Sequence, residues 1–297
     1  MKKSKFFKII VMMISTVFIA MCFPITARAD IGPKHSVFVY FENMGIEECY
    51  GTLLSEHMGS GFYHVWDGDE EHIDNHNLDL EIWRAFVEYE DTDGYYFLQI
   101  AWKVSDTKRI GWVYCPPYRF KILLYYPETK RFVVSGIYEK YAFDTYYTVD
   151  MSGVNIDSAE YNDHIDAYPS YNYVREILFL VIRIIITIAI EMAVALWYFG
   201  FRNKKQLLVL VWVNVVTQII LNVLLNVINY KSGPRAFVLY YIQFEIIVVA
   251  LEAVLYCTIL KKVSDRPEKN GEYILYALVA NAVSFGTGVV VSPFLLF

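Results

Sequence analysis

Leu207 to Ile228 reads LLVLVWVNVVTQIILNVLLNVI, and this stretch decides how the rest of the chain is organised. It is apolar for long enough to cross a bilayer, which takes roughly 20 residues of helix. Yet Asn214, Gln218, Asn222 and Asn226 recur within it at a spacing of four. At about 100° per residue, each step of four drifts only about 40°, so the amides form one stripe along one side of a helix. Unsatisfied amides in hydrocarbon cost several kcal/mol each, so the stripe must meet other helices or water.

Working outward, three more apolar segments accompany it. The pattern predicts membrane helices at about Tyr173–Phe199, Gln206–Tyr230, Ala236–Leu260 and Glu272–Phe294. The loop Arg202-Asn203-Lys204-Lys205 is basic, and residues 261–270 carry Lys261, Lys262, Arg266 and Lys269. The connection between them holds only Lys231 and Arg235. The positive-inside rule puts the loops near 202–205 and 261–270 in the cytoplasm.

The N-terminus points the same way. Lys2, Lys3, Lys5 and Lys8 precede an apolar run from Ile9 to Phe23, and Ala27-Arg28-Ala29 supplies an A-x-A cleavage site before Asp30. Residues 1–29 therefore read as a cleaved signal peptide, with an uncleaved anchor as the alternative. Residues 30–172 are then extracytoplasmic, which agrees with the basic loops. The expected location is a bacterial plasma membrane, multi-pass.

Between Asp30 and Asn172 the chain has 25 acidic and 10 basic residues, a net of −15, against −6 for the whole protein. Such a surface excludes nucleic acid, which wants a basic face. It suits a solvated exterior or a cationic partner. Strands are expected at Ser36–Glu42, Cys49–Ser55, Gly61–Trp66, Tyr95–Val104, Ile110–Tyr114, Arg119–Tyr126, Arg131–Tyr138 and Tyr146–Met151. Pro127-Glu128-Thr129-Lys130 is a hairpin turn, and Asp79–Glu90 has Ile82, Trp83, Phe86 and Tyr89 at helical spacing. Residues 30–151 thus form a β-rich domain, sandwich-like or α+β. Residues 152–172 are polar and without period, a linker, and residues 173–297 form the all-α four-helix transmembrane domain.

Candidate chemistry is sparse. Arg183 and Glu191 lie eight apart in the first membrane helix, Glu245 and Glu252 seven apart in the third, and Asn281 stands in the fourth. Intramembrane charges are costly and face a bundle interior. With the amide stripe they make either a polar site for an ion, proton or small polar ligand, or interhelical packing with Arg183 paired to a glutamate. All six histidines (His35, His57, His64, His72, His76, His164) fall in the outer domain, no serine has a G-x-S-x-G context and no paired aspartates stand in the membrane, which argues against an intramembrane enzyme. Asp67, Asp69, Glu71 and Asp74 are oxygen donors close enough to suit a hard cation such as calcium, or else a hydrated acidic loop. They do not fit the EF-hand pattern, since His72 stands where that loop needs glycine. Cys49 and Cys115 are the only cysteine pair of the outer domain, and export permits a disulfide between them. No cofactor is implied.

Several phrases carry a resemblance. Asp30-Ile31-Gly32-Pro33-Lys34, Pro116-Pro117 followed by Phe120-Lys121-Ile122-Leu123-Leu124-Tyr125, and Ser135-Gly136-Ile137-Tyr138-Glu139 are similar to segments of a group of exported polytopic membrane proteins of Gram-positive anaerobes. The membrane half, with Asn214, Thr217, Gln218, Asn222, Glu245, Glu252 and Asn281, resembles the same group. The chain departs from it at Cys115, where a tyrosine is expected. The resemblance implies the exported, membrane-anchored architecture and brings no catalytic residue with it. The expected function is binding or sensing by the outer domain, with the lipid bilayer and an envelope protein or extracellular ligand as partners. The competing function is transport of an ion or small polar solute through the helix bundle.

Overall fold

The computed structural model describes residues 34–73, 78–154, 156, 163–264 and 267–295, the last eight of these by backbone alone. The signal segment and Asp74 lie outside the described residues. The chain divides into two compact units. One comprises Pro33–Tyr171 together with Tyr230–Gly233, and the other Asn172–Asn229 and the residues from Pro234.

The first unit is built on two larger β-sheets, with a two-stranded ribbon and a nine-residue helix beside them. Its strands are β1 (Ser36–Glu42), β2 (Tyr50–Ser55), β3 (Gly59–Ser60), β4 (Tyr63–His64), β5 (Trp102–Lys103), β6 (Arg109–Trp112), β7 (Arg119–Tyr126), β8 (Arg131–Ser135), β9 (Tyr138–Glu139), β10 (Asp144–Asp150), β11 (His164–Ile165) and β12 (Ala167–Pro169). One sheet runs β12-β10-β1-β6 and the other β11-β8-β7-β2-β5, with β9 also pairing β7. β1 and β10 pair in parallel over their whole length, although they are far apart in sequence.

Period-two alternation explains the layering. In β7, Phe120, Ile122, Leu124 and Tyr126 face the inter-sheet core with Val37 and Val39 of β1, Ile110 and Trp112 of β6, and Val149 of β10. The alternate residues Leu123 and Tyr125, with Leu54 of β2, pack against the helix α1 (Leu80–Glu88) through Ile82, Trp83 and Phe86. α1 starts where Asp79 accepts a hydrogen bond from the Glu81 N–H, an N-cap that frees no donor to be buried unpaired. The unit is therefore a two-sheet sandwich with a helix on the outer face of one sheet.

Two expectations change. Tyr95–Val104 is not a strand. Only Trp102–Lys103 pairs, Tyr96 makes one bridge to Ser55, and a short helix α2 (Val104–Thr107) follows. Phe97 and Leu98 are buried consecutively and Gln99 has φ +62°, which breaks the pleat that a continuous strand needs. The expected linker 152–172 is also partly wrong, because it supplies the edge strands β11 and β12. Turns of the hairpin type fall where expected: Lys130 N–H donates to Pro127 O at 3.3 Å between β7 and β8.

The second unit is helical: α3 (Tyr173–Trp197), α4 (Lys204–Leu255) and α5 (Asn270–Leu295). α4 continues through a π-helical turn, Tyr256–Leu260, and one last turn, Lys261–Val263. Inside α4, Gly233 has φ +80° and ψ −179°, a break that only glycine adopts without strain, and Pro234 opens the second arm where its missing N–H costs nothing. Among the described residues, two helices, Tyr173–Trp197 and the broken run Lys204–Val263, are long and apolar enough to cross a membrane. Four separate spans were expected.

Candidate functional site

The helical unit buries amides and carboxyls among its core residues and leaves many large apolar side chains exposed. On the first arm of α4, Leu210, Asn214, Thr217, Gln218, Leu221, Asn222 and Leu225 are buried, at the three- and four-residue spacing of one helix face. Leu208, Trp212, Val216, Ile220 and Val223 on the opposite face are exposed. Glu245, Val248, Glu252 and Tyr256 form the buried face of the second arm, and Tyr273, Tyr276, Ala277, Ala280, Asn281 and Ser284 that of α5. α3 contributes Glu191 and Ala195.

These faces meet at Glu252, which is wholly buried. Thr217 Oγ1 donates to its Oε1 at 2.7 Å from the first arm, and Asn281 Nδ2 donates to its Oε2 at 2.6 Å from α5. Asn214 Nδ2 donates to Tyr256 Oη at 3.2 Å and to Leu210 O at 3.0 Å. Tyr276 Oη donates to the Glu191 carbonyl at 3.3 Å, tying α5 to α3. Tyr256 also begins the π-turn, a helix insertion that re-aims side chains and recurs at functional sites.

The structure thus brings Glu191, Asn214, Glu252 and Asn281 together with Thr217, Tyr256, Tyr276 and Ser284. Sequence reasoning named the first four as site residues and did not single out Tyr256 or Tyr276, whose hydroxyls carry no signal in an apolar run. Within the stripe, Asn222 does not serve Glu245 or Glu252. Asn222 instead donates within its own helix, to Gln218 O at 2.9 Å and Gln218 Oε1 at 3.2 Å. Arg183 does not pair with a glutamate. Its Nη2 donates to Asn226 Oδ1 at 3.0 Å, and its guanidinium lies 5.8 Å from the Phe237 ring centroid. Glu245 is buried with Oε2 unpartnered.

In the β unit, the acidic loop spends its oxygens locally. Asp67 Oδ1 accepts from the Asp69 N–H at 3.0 Å, Asp69 Oδ1 from the Glu71 N–H at 3.0 Å, and Asp67 Oδ2 lies 2.7 Å from His72 Nδ1. The backbone hydrogen bond from Asp69, then the His72 contact, hold Asp67 below the usual carboxylate range, and the same contact raises His72. Among the described residues no three histidine, cysteine, aspartate or glutamate side chains converge as a metal site.

The disulfide expectation is corrected, since Cys49 and Cys115 are both free thiols. Cys49 is sealed in the inter-sheet core, where burial pushes its thiol up to about 12, and the Cys115 side chain packs beside Gly61. Lys121 is the buried cation of this unit, 2.6 Å from Asp91 and 2.9 Å from Asp93. Burial works against its charge, but the hydrogen bonds to Asp91 and Asp93 outweigh that and raise its pKa. A cleft of about 160 Å³ lies beside Trp66, Tyr89 and Tyr96.

Neither a family model, nor a curated protein sequence, nor a solved structure matches the chain.

Proposed function

We propose that the protein is an envelope protein of a bacterial plasma membrane, with an outward-facing β unit that binds or senses and a helical unit that anchors it. The observation that carries this reading is the inverted polarity of the helical unit. A water-soluble bundle hides its leucines and exposes its amides, whereas here Trp212, Val216 and Ile220 are exposed while Asn214, Gln218 and Asn222 are buried. Lipid is the solvent that favours such a surface. The break at Gly233 divides Lys204–Val263 into two arms, each long enough for a 30 Å hydrocarbon core at 1.5 Å per residue. With Tyr173–Trp197 and Asn270–Leu295 they give four passes around a polar interior. The basic loops near 202–205 and 261–270 then lie in the cytoplasm and residues 30–172 outside.

Anchoring is favoured over transport by the state of Glu252. Its two oxygens are held by two other helical segments and it has no exposure, which is the arrangement of a closed seam rather than of a path.

Topology tests the proposal. Ile46 is fully exposed in the β unit, and Arg202 is exposed in the first basic loop. With Cys115 and Cys257 replaced by serine, a membrane-impermeant maleimide should label Ile46→Cys in intact cells. It should reach Arg202→Cys only after permeabilisation. Labelling of Arg202→Cys alone, or of both, in intact cells contradicts the arrangement.

A further inference from the structure

The unpartnered atoms around Glu252 are all of one kind. Both carboxyl oxygens of Glu191, Oδ1 of Asn214 and Oδ1 of Asn281 are buried without a hydrogen-bond partner. Glu191 and Asn214 have no exposure and Asn281 has 1%. Every one of these atoms is an acceptor.

The nearby donors are already spent. Asn214 Nδ2 serves Leu210 O and Tyr256 Oη, and Asn281 Nδ2 serves Glu252 Oε2 and Ala277 O, so each amide has used both hydrogens. Ser284 Oγ donates to Asn281 O at 3.1 Å, and Tyr276 Oη to the Glu191 backbone. The Asn214 and Ser284 side chains come close to the Glu191 carboxyl, but neither makes a hydrogen bond of normal geometry to it. The unpartnered donor Arg183 Nε stands eight residues before Glu191 on α3, about 12 Å along the axis at 1.5 Å per residue.

A buried carboxyl with no partner is too costly to leave bare. A proton on Glu191 supplies one donor and so satisfies one acceptor, leaving the remaining oxygens as they are. A metal-sized cation satisfies several oxygens together. Both oxygens of Glu252 are already held by Thr217 and Asn281, so Glu191 is the carboxylate with both oxygens open, and with neutral amide oxygens it balances a single positive charge. Among the described residues no three acidic, histidine or cysteine side chains converge to suit a divalent ion. Membrane proteins hold sodium near the bilayer midplane with oxygen ligands drawn from several helical segments, and the oxygens here are likewise buried and come from three of them.

We propose that Glu191, with the amide oxygens of Asn214 and Asn281, forms a buried binding site for one small monovalent cation, sodium or potassium. The site rests on the reading of the helical unit as a membrane bundle and adds a ligand to it. The titratable groups that face it are Glu252 and Glu245 of the second arm, Tyr256 at the π-turn and Tyr276 of α5.

The test uses the full chain in detergent, in NaCl, KCl or choline chloride at equal ionic strength. The unfolding midpoint should rise saturably in sodium or potassium relative to choline, by a few degrees at about a hundredfold excess over Kd. Glu191→Gln should abolish that difference. A second measurement needs no variant. Dicyclohexylcarbodiimide modifies buried carboxyls, and labelling of Glu191, read by peptide mass, should slow several-fold in the ion that binds. Equal midpoints and equal labelling in all three salts overturn the proposal, leaving a proton or nothing at Glu191. A salt response that survives in Glu191→Gln overturns it as well. The outcome is separable from topology, because cation binding is read in micelles and maleimide labelling in cells.

Discussion

Lys121 is the residue whose environment most constrains its chemistry in the β unit. Its side chain is 4% exposed and that of Asp91 is not exposed at all, so removing the cation leaves a buried carboxylate with only the Asp93 and Tyr95 backbone N–H groups to balance it. Lys121→Met should therefore cost about 3–5 kcal/mol in chemical unfolding of the full chain. The sign of its pH dependence follows from the raised pKa. A cation held more tightly when folded stabilises fully below its unfolded pKa, about 10.4, and loses that contribution as pH rises through the higher folded value. The gap between wild type and Lys121→Met should thus be constant near neutrality and narrow above about pH 10.4. In the helical unit, Asn281→Leu leaves Glu252 short of a donor, and loss on the order of 0.6 kcal/mol is expected, the average for membrane hydrogen bonds. Combining it with Glu252→Leu should recover part of the loss, since removing both partners is less harmful than removing one. Strict additivity in that double-mutant cycle would mean that the two do not touch. At this scale the types of residue were legible and their partners were not. A spacing of four placed Asn222 on the buried stripe, but the same spacing puts Gln218 one turn below it, near enough to take its hydrogen bonds first. Asn281 reaches Glu252 from a different helix, and nothing in a linear pattern encodes that approach.

Elements were legible wherever local chemistry agreed with tertiary packing. β1 and β7 occupy the expected residues because β1 alternates buried and more exposed positions, as a strand with one buried face does, while β7 is a near-continuous run buried on both faces; Pro127–Lys130 turns where proline and a left-handed lysine allow it. Leu123 is fully buried under α1, so Leu123→Ala should cost about 2–5 kcal/mol. Thr129→Ala in the turn should stay within about 0.5 kcal/mol in the same unfolding assay, since its hydroxyl has no partner to lose. Equal effects would mean that the hairpin is not packed. Tyr95–Val104 misled because aromatic and β-branched residues suit a strand, while Gln99 takes a left-handed conformation that composition does not announce. The edge strands β11 and β12 were missed for the opposite reason: they are too short and polar to stand out, and exist because β8 and β10 offer free edges. Gly233 is the third kind of case. Its conformation lies outside what a residue with a Cβ adopts readily, and an added Cβ would come within 2.6 Å of the Phe143 ring. Gly233→Ala should lower the unfolding midpoint through about 1–3 kcal/mol of backbone strain plus the clash. Phe143→Leu added to it should relieve the clash and leave the backbone term. An unchanged midpoint in Gly233→Ala would contradict that account.

For the whole molecule, the division into an acidic β unit and an apolar helical unit follows from composition alone, because a net charge of −15 and a 25-residue apolar helix demand different solvents. What the composition does not carry is the order of the strands, including the parallel β1–β10 pair that closes one sheet across more than a hundred residues. Long-range pairing is selected by total burial, not by any local signal.

The proposed anchoring role requires the helical unit to be inside out, with amides toward its neighbours and alkyl groups toward lipid. A nitroxide scan from Leu207 to Ile228, in full-length protein reconstituted into vesicles, tests it most directly. Accessibility to oxygen, which partitions into lipid, should oscillate with a period of about 3.6 residues, with maxima at Trp212, Val216, Ile220 and Val223 and minima at Asn214, Gln218 and Asn222. Accessibility to a water-soluble nickel complex should remain low throughout. A flat oxygen profile, or nickel maxima at Trp212, Val216 and Ile220, would contradict the claim.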